Sequence, residues 1–256
     1  MPRVCVLVGF ALDEEGLANR RAQVREVQIG PDYAFEFRSV KAGPANYDSH
    51  HDSLLADLAV LEAGVEAQRD GFDAICIDSM SDSGAKALRS VLDIPVVAPA
   101  KLSYLTALML GDRFSVLTQW DAWVPGLTKG VHEYGLEHLC ASVRSIRTKP
   151  DLRNLLGGKE DEVFPKLVAE GMACVEDGAD VICLGSTTLH QAHAHLVEAL
   201  PVPVINPGPL SYKLAQLMLE TKLIHSRTTY HRPRTEMLDT VQVMIAAAQE
   251  HLSAGR

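Results

Sequence analysis

The chain has 256 residues, of which 47% are apolar and 22% charged, enough to bury one large core or two compact ones and unlike a disordered or fibrous composition. Its net charge of −9 comes with no basic stripe or tail, so no nucleic-acid partner is expected and the acidity serves solubility. No apolar run approaches the roughly 18 residues of a membrane span, and RVCVLVG (3–9) is too short for a secretory core, so it opens a domain and no membrane partner is expected.

In chain order, apolar runs alternate with amphipathic stretches, the pattern of repeated βα units. A strand at 3–9 leads to a helix over 14–28 and a strand at 34–40. After the loop GPANYDSHHD (43–52) come a helix over 52–70, a strand at 73–78, a helix over 82–92, a strand at 94–98 and a helix over 101–110. The series then restarts with a strand at 113–118, a helix over 122–135 and a strand at 140–146. The most loop-like segment, 148–160, precedes a helix over 160–177, a strand at 180–185, a helix over 189–199, a strand at 202–206 and a helix over 208–220. A last helix over 234–253 carries Met237, Val241, Met244, Ile245 and Ala248 as an apolar stripe.

Five cysteines without a CxxC pair fit a reducing, cytoplasmic setting. Cys5, Cys76 and Cys183 lie inside apolar runs and read as small buried hydrophobes.

The chain also repeats itself. GFDAICIDSMS (71–81) aligns with GADVICLGSTT (178–188) at an offset of 107, and DIPVVAPAKLSY (93–104) with PVPVINPGPLSY (201–212) at an offset of 108. The expected fold is therefore α/β, with two pseudo-symmetric, doubly wound parallel-sheet halves. The first half is assigned to 1–110 plus 207–256 and the second to 111–206. Open α/β sheets bind ligands outside the carboxyl ends of their strands, so the site is expected in the cleft between the halves.

Both repeated strands run into hydroxyl-rich turns, with Ser79, Met80 and Ser81 in one and Ser186, Thr187 and Thr188 in the other. A lone serine before a helix is most simply a cap; its duplication at two strand ends points to a site. Thr118 ends the central strand, and Trp120 and Trp123 after it read as packing on the following helix, with Trp120 or Gln119 at the cleft mouth as the alternative. Asp82 reads as a cap or first-turn acid. Cys76 and Cys183 lie three residues before the serines and so face the opposite side of the strand. His190, His193 and His195 lack an accompanying Asp, Glu or Cys ligand, so no metal is expected. His190 remains a candidate base for Ser186, as does His50 or His51 in the Gly-Pro loop, where Asn46 and Tyr47 also lie.

These segments resemble the aspartate/glutamate/hydantoin racemase superfamily, most closely its hydantoin and allantoin racemase branch. The similarity is carried by GPANYDSHHD (43–52), DSGAKALRSVLDIPVV (82–97), FSVLTQWDAWVPGLTKGVHEYGL (114–136), EDGADVICLGSTTL (176–189) and HSRTTYHRP (225–233). The resemblance implies cofactor-independent proton transfer at a carbon next to a carbonyl, between two cysteines facing each other across the cleft. Here those two positions are Ser79 and Ser186, and GFALDEEG (9–16) stands where the family has an Asn-Pro-Asn-Thr turn.

A serine hydroxyl is a far weaker acid than a thiol and becomes reactive only beside a general base. Several readings follow. The protein is an isomerase using another base, a serine-assisted lyase, decarboxylase or hydrolase, a racemase with both cysteines replaced, or a non-catalytic small-molecule-binding homologue. On the first reading Ser79 and Ser186 flank the reacting carbon of a small hydantoin, ureide or related acid. Ser81, Thr118, Thr187, Thr188, Gly9, Phe10, Tyr47, Met80 and Gln119 then contact it, no cofactor is needed, and the family implies a homo-oligomer.

Overall fold

Strand β1 (Arg3–Val8) places Val4, Cys5, Val6, Leu7 and Val8 wholly out of solvent. Burial on both faces is what a parallel sheet covered by helices demands of a central strand. The structure, a computed structural model, describes residues 1–152 and 155–254. Within it β1 lies between β2 (Ala34–Ser39) and β3 (Ala74–Ile77), and β4 (Val96–Val97) completes a four-stranded sheet in the order β2-β1-β3-β4. A second sheet repeats the order as β6 (Cys140–Ser145), β5 (Phe114–Thr118), β7 (Val181–Leu184) and β8 (Val204–Ile205).

Every pairing in both sheets is parallel. The sequence repeat is one strand pair built twice: Ile75 and Cys76 sit opposite Val96 and Val97, as Ile182 and Cys183 sit opposite Val204 and Ile205. All eight expected strands form.

The flanking helices are α1 (Glu14–Arg21), α2 (His50–Arg69), α3 (Ala85–Val91), α4 (Pro99–Leu110), α5 (Val124–Glu133), α6 (Glu160–Glu176), α7 (His193–Ala199), α8 (Pro207–Glu220) and α9 (Leu238–Ala254). The helix expected over 14–28 stops at Arg21 and tightens into a 3-10 turn over Ala22–Glu26. The one expected from 189 begins as a 3-10 turn at Thr187, capped by Ser186, and becomes α-helical at His193. Of the stripe expected on α9, Ile245, Val241 and Ala248 pack on the first half's core. Met237 and Met244 instead face solvent. Of the loop expected over 148–160, residues 153 and 154 lie outside the described residues, and α6 takes up its last position.

The two LSY segments exchange helices between the halves. On α4, Ala100, Tyr104 and Ala107 pack under Phe114, Val116, Val181 and Cys183 of the second sheet. On α8, Tyr212 and Ala215 pack under Val4, Val6, Val8 and Cys76 of the first. Matching thiol contacts mark the exchange, with Cys76 Sγ donating to Ser211 O and Cys183 Sγ to Ser103 O, each at 3.6 Å. Burial pushes both thiols well above the usual range, which makes them packing groups and not nucleophiles.

Asp82 caps a different helix from the one it precedes in sequence. Its left-handed backbone (φ 50°) and that of Gly84 (φ 70°) delay α3 to Ala85. The carboxylate accepts instead from Ala100 N (2.8 Å) and Lys101 N (3.1 Å) at the start of α4, and from the Tyr134 hydroxyl (2.6 Å). The corresponding position in the second half is Leu189, and Pro209 stands where Lys101 stands, so one donor that Asp82 satisfies is missing there.

Strand β6 is tied to α6 by Arg144, which donates to both oxygens of Asp177 (2.6 and 3.1 Å) and to Glu170 Oε2 (3.1 Å). This holds the Asp177 carboxyl down at about 2. A depressed carboxylate stabilises the fold fully above its unfolded value of about 3.9, and that contribution disappears as pH falls through the folded value. Arg144→Ala is expected to cost on the order of 1 kcal/mol at pH 7, because the group is partly solvated. The cost should shrink towards pH 2, read as urea midpoints of the two proteins across that range.

Candidate active site

At the carboxyl end of β3 the chain turns through Asp78–Ser83, and at the end of β7 through Gly185–Thr188. The turns meet directly, with Thr187 Oγ1 donating to Asp78 O at 3.2 Å. Each builds a ladder of hydroxyls. Ser79 Oγ lies 2.8 Å from Ser81 Oγ, which lies 2.8 Å from Ser83 Oγ. In the other half, Ser186 Oγ lies 2.8 Å from Thr188 Oγ1. The leading hydroxyls also accept backbone N–H bonds, from Ser81 N at 3.3 Å and Thr188 N at 3.2 Å. Each serine is therefore both a local cap and a wall group.

Between the turns lies a small cavity. Ser79, Ser81, Ser186, Thr187 and Thr188 line it, as do Phe10, Tyr47 and Met80. Trp123, Gly126 and Leu127 extend its apolar side, and Ser53 and Gly185 complete the wall with two charged residues described below. A second, larger and more polar space borders it and shares Tyr47, Ser53, Ser81 and Gly126.

Three residues expected to contact the ligand stand behind the wall. Gly9 acts through Tyr47: a Cβ there would fall 2.0 Å from the Tyr47 oxygen, whose hydroxyl donates to Gly9 O at 3.1 Å. The ring of Tyr47 then rests 4.6 Å from that of Phe10. Thr118 and Gln119 are buried beneath the second turn, where the Thr118 Cβ is 2.9 Å from the place a Gly185 side chain would occupy. The bare α-carbon of Gly185 is what lets β5 and α5 close on this turn. Trp123, assigned to packing from the sequence, reaches the cavity, whereas Trp120 packs edge-on against it at 6.0 Å and does not line it. Asn46 is half-buried and likewise off the wall.

The charged wall residues, Arg20 and Asp78, were not singled out from the sequence. Arg20 is completely buried. Its Nη1 donates to Asp78 Oδ2 (3.1 Å) and to Thr187 Oγ1 (3.2 Å), while Gln23 Nε2 donates to Asp78 Oδ1 (3.2 Å). Two signals pointed here. Arg20 shares the inward face of α1 with Gly16 and Leu17, so a charge occupies an apolar stripe. Asp78 has glycine, Gly185, as its counterpart in the repeat, so the charge belongs to one half alone.

None of the candidate histidines lines the cavity. His190 is buried with Nδ1 against Glu26 Oε1, and Glu26 also accepts from Asn206 Nδ2 at 2.7 Å. His193 Nε2 bonds Val204 O at 3.0 Å, and His195 stacks on Phe164 at 4.9 Å. His51 pairs with Asp52 at 3.3 Å, and His50 borders the neighbouring space. Among the described residues no group of three or more His, Cys, Asp or Glu is placed to hold a metal. None of the helices among them is long and apolar enough to cross a membrane.

The site thus offers hydroxyl donors from two halves, a buried cation and an apolar wall, at the carboxyl ends of two symmetric parallel sheets. Donors and a cation gathered at such a place can stabilise negative charge on a bound small molecule. The family model of the Asp/Glu/Hydantoin racemases matches residues 17–215, and the chain belongs to that family. Hydantoin racemase from Pseudomonas sp. (strain NS671) is 33% identical over 202 residues, covering 76% of this chain and 78% of that one. Allantoin racemase from Klebsiella pneumoniae has the same fold, with a TM-score of 0.83 at 24% identity over 92% of this chain and 95% of that one. Arylmalonate decarboxylase shares it at a TM-score of 0.58 and 18% identity, covering 84% of this chain and 92% of that one.

Proposed function

We propose that the protein is a cofactor-independent isomerase that moves a proton at the acidic carbon next to the carbonyl of a small hydantoin, ureide or related acid. The observation that carries this reading is the pair of hydroxyl ladders, one from each half, on a single cavity. Ser79 and Ser186 serve the two faces of the planar intermediate. Ser81 and Thr188, with backbone N–H groups of the turns, hydrogen-bond the enolate-like oxygen, where preorganised donors act most strongly, while Thr187, whose proton goes to Asp78 O, ties the two turns together. The apolar wall takes the substituent. The relationship to hydantoin racemase supports the substrate class.

One observation favours a second reading on the same site. The described wall carries no thiol and no imidazole, and its one carboxylate, Asp78, is held by Arg20 and Gln23. A racemase needs a proton acceptor on each face in turn; a decarboxylase does not. There the C–C bond supplies the electron pair, carbon dioxide leaves, and a hydroxyl or water returns one proton to the carbanion.

Proton NMR in D₂O separates the two, using 5-substituted hydantoins, allantoin and an arylmalonate, with Ser79→Cys/Ser186→Cys run alongside. Deuterium at the α-carbon of recovered substrate is the expected result. A decarboxylated product would establish the second reading instead. Exchange in the double-cysteine variant alone, or no reaction in either protein, would overturn both for the natural chain and leave a binding homologue.

A further inference from the structure

We infer that Arg20 binds a substrate carboxylate through the Nε–Nη2 edge of its guanidinium. The inference rests on the proposed reading of this cavity as the substrate site. A guanidinium has five N–H donors. The two on Nη1 are engaged by Asp78 Oδ2 and Thr187 Oγ1. Nε and Nη2 are buried without any partner, on a residue that lines the cavity and is completely excluded from solvent. Leaving such donors bare in a protein interior is costly, and this edge is the one whose parallel N–H groups fit the two oxygens of a carboxylate. Asp78 neutralises the cation through Nη1, so the charge is held in place while the Nε and Nη2 donors are left unpaired.

The device exists in one half only, because the counterpart of Asp78 is Gly185. Two nearly symmetric hydroxyl ladders alone would accept a substrate in either orientation. Arg20 removes that ambiguity: the carboxylate is fixed at the first half and the apolar substituent lies against Phe10, Met80, Trp123 and Leu127. Within the proposed range this favours the related acids, small carbonyl compounds that carry a free carboxylate and an apolar group, over the neutral hydantoins and ureides.

Binding tests this without turnover. Trp120 and Trp123 are the two tryptophans of the chain, and Trp123 lines the cavity, so intrinsic fluorescence reports its occupancy. The probes are phenylacetate and phenylacetamide, alike in shape and different in charge. The full-length protein is expected to bind the acid at least tenfold more tightly than the amide. In Arg20→Met/Asp78→Asn, which removes both charges together, the ratio should fall to about one with amide affinity kept. If that variant fails to bind even the amide, Arg20→Lys decides: it keeps a cation opposite Asp78 and loses the fork, so the ratio should drop at least threefold. Equal affinities in the natural protein, no binding of either probe at millimolar concentration, or an unchanged ratio in the variant would overturn the inference. Charge selectivity without deuterium exchange would retain Arg20's role and reject the proton-transfer reading; exchange without selectivity would do the reverse.

Discussion

Asp78→Ala is expected to destabilise the fold by about 3–5 kcal/mol, the range for stripping one partner from a buried ion pair. Arg20 and Asp78 side chains are each 1% exposed and meet at 3.1 Å, so the guanidinium left behind has neither counter-ion nor water. Gln23 loses its acceptor in the same step. Against a total stability of roughly 5–15 kcal/mol this is a large fraction. Arg20→Met/Asp78→Asn should cost far less, within about 1–2 kcal/mol, because both charges go together and the volume is nearly kept. Lys86→Ala, which breaks an exposed pair with Glu133, should change stability by under about 1 kcal/mol. Urea midpoints at constant m-value give the comparison. A loss below about 1 kcal/mol for Asp78→Ala would mean that the Arg20 guanidinium finds solvent or another partner once Asp78 is gone.

The same pair shows which parts of the site the sequence makes legible. The strands were readable because a strand buried on both faces must be apolar throughout, as VCVLV of β1 and ICI of β3 are. The two turns are readable because the repeat prints them twice, and the Ser79–Ser81 and Ser186–Thr188 pairs stand on residues the repeat aligns. Arg20 and Asp78 lie 58 positions apart and meet only because β1 and β3 are neighbours in the sheet. No local pattern encodes that adjacency. The LSY repeat was visible, but its purpose, carrying α4 and α8 across to the opposite sheets, depends on the packing of Tyr104 and Tyr212. Thr118 and Gln119 were placed at the cleft because they end a strand there. The closure of β5 over Gly185 hides them, and that closure is a property of a bare α-carbon in three dimensions.

Ser186→Ala is expected to lower turnover about 10²–10⁴-fold, the range for removing a positioned proton-transfer or oxyanion-stabilising group. Its effect on stability should be modest. The Ser186 hydroxyl caps the 3-10 turn through Thr188 N, and losing a cap costs about 1 kcal/mol, or roughly 2–4 °C in a chain of this size. The two roles therefore separate by magnitude: a pure cap would lose those few degrees and keep its rate. Ser79→Ala should behave alike, since Ser79 accepts from Ser81 N in the matching geometry. If both hydroxyls serve one planar intermediate, the double variant should lose little more than the worse single, because groups acting as a unit are not additive. Multiplying losses would instead assign the serines to independent steps. Ser186→Cys is the sharpest comparison, because it replaces a group that scarcely ionises near neutrality with one whose ordinary value is near 8.5. Faster deuterium exchange with unchanged stability would show that proton transfer limits the natural protein. A fully active Ser186→Ala would remove the hydroxyl ladders from the chemistry and leave Arg20 and the backbone N–H groups to explain it.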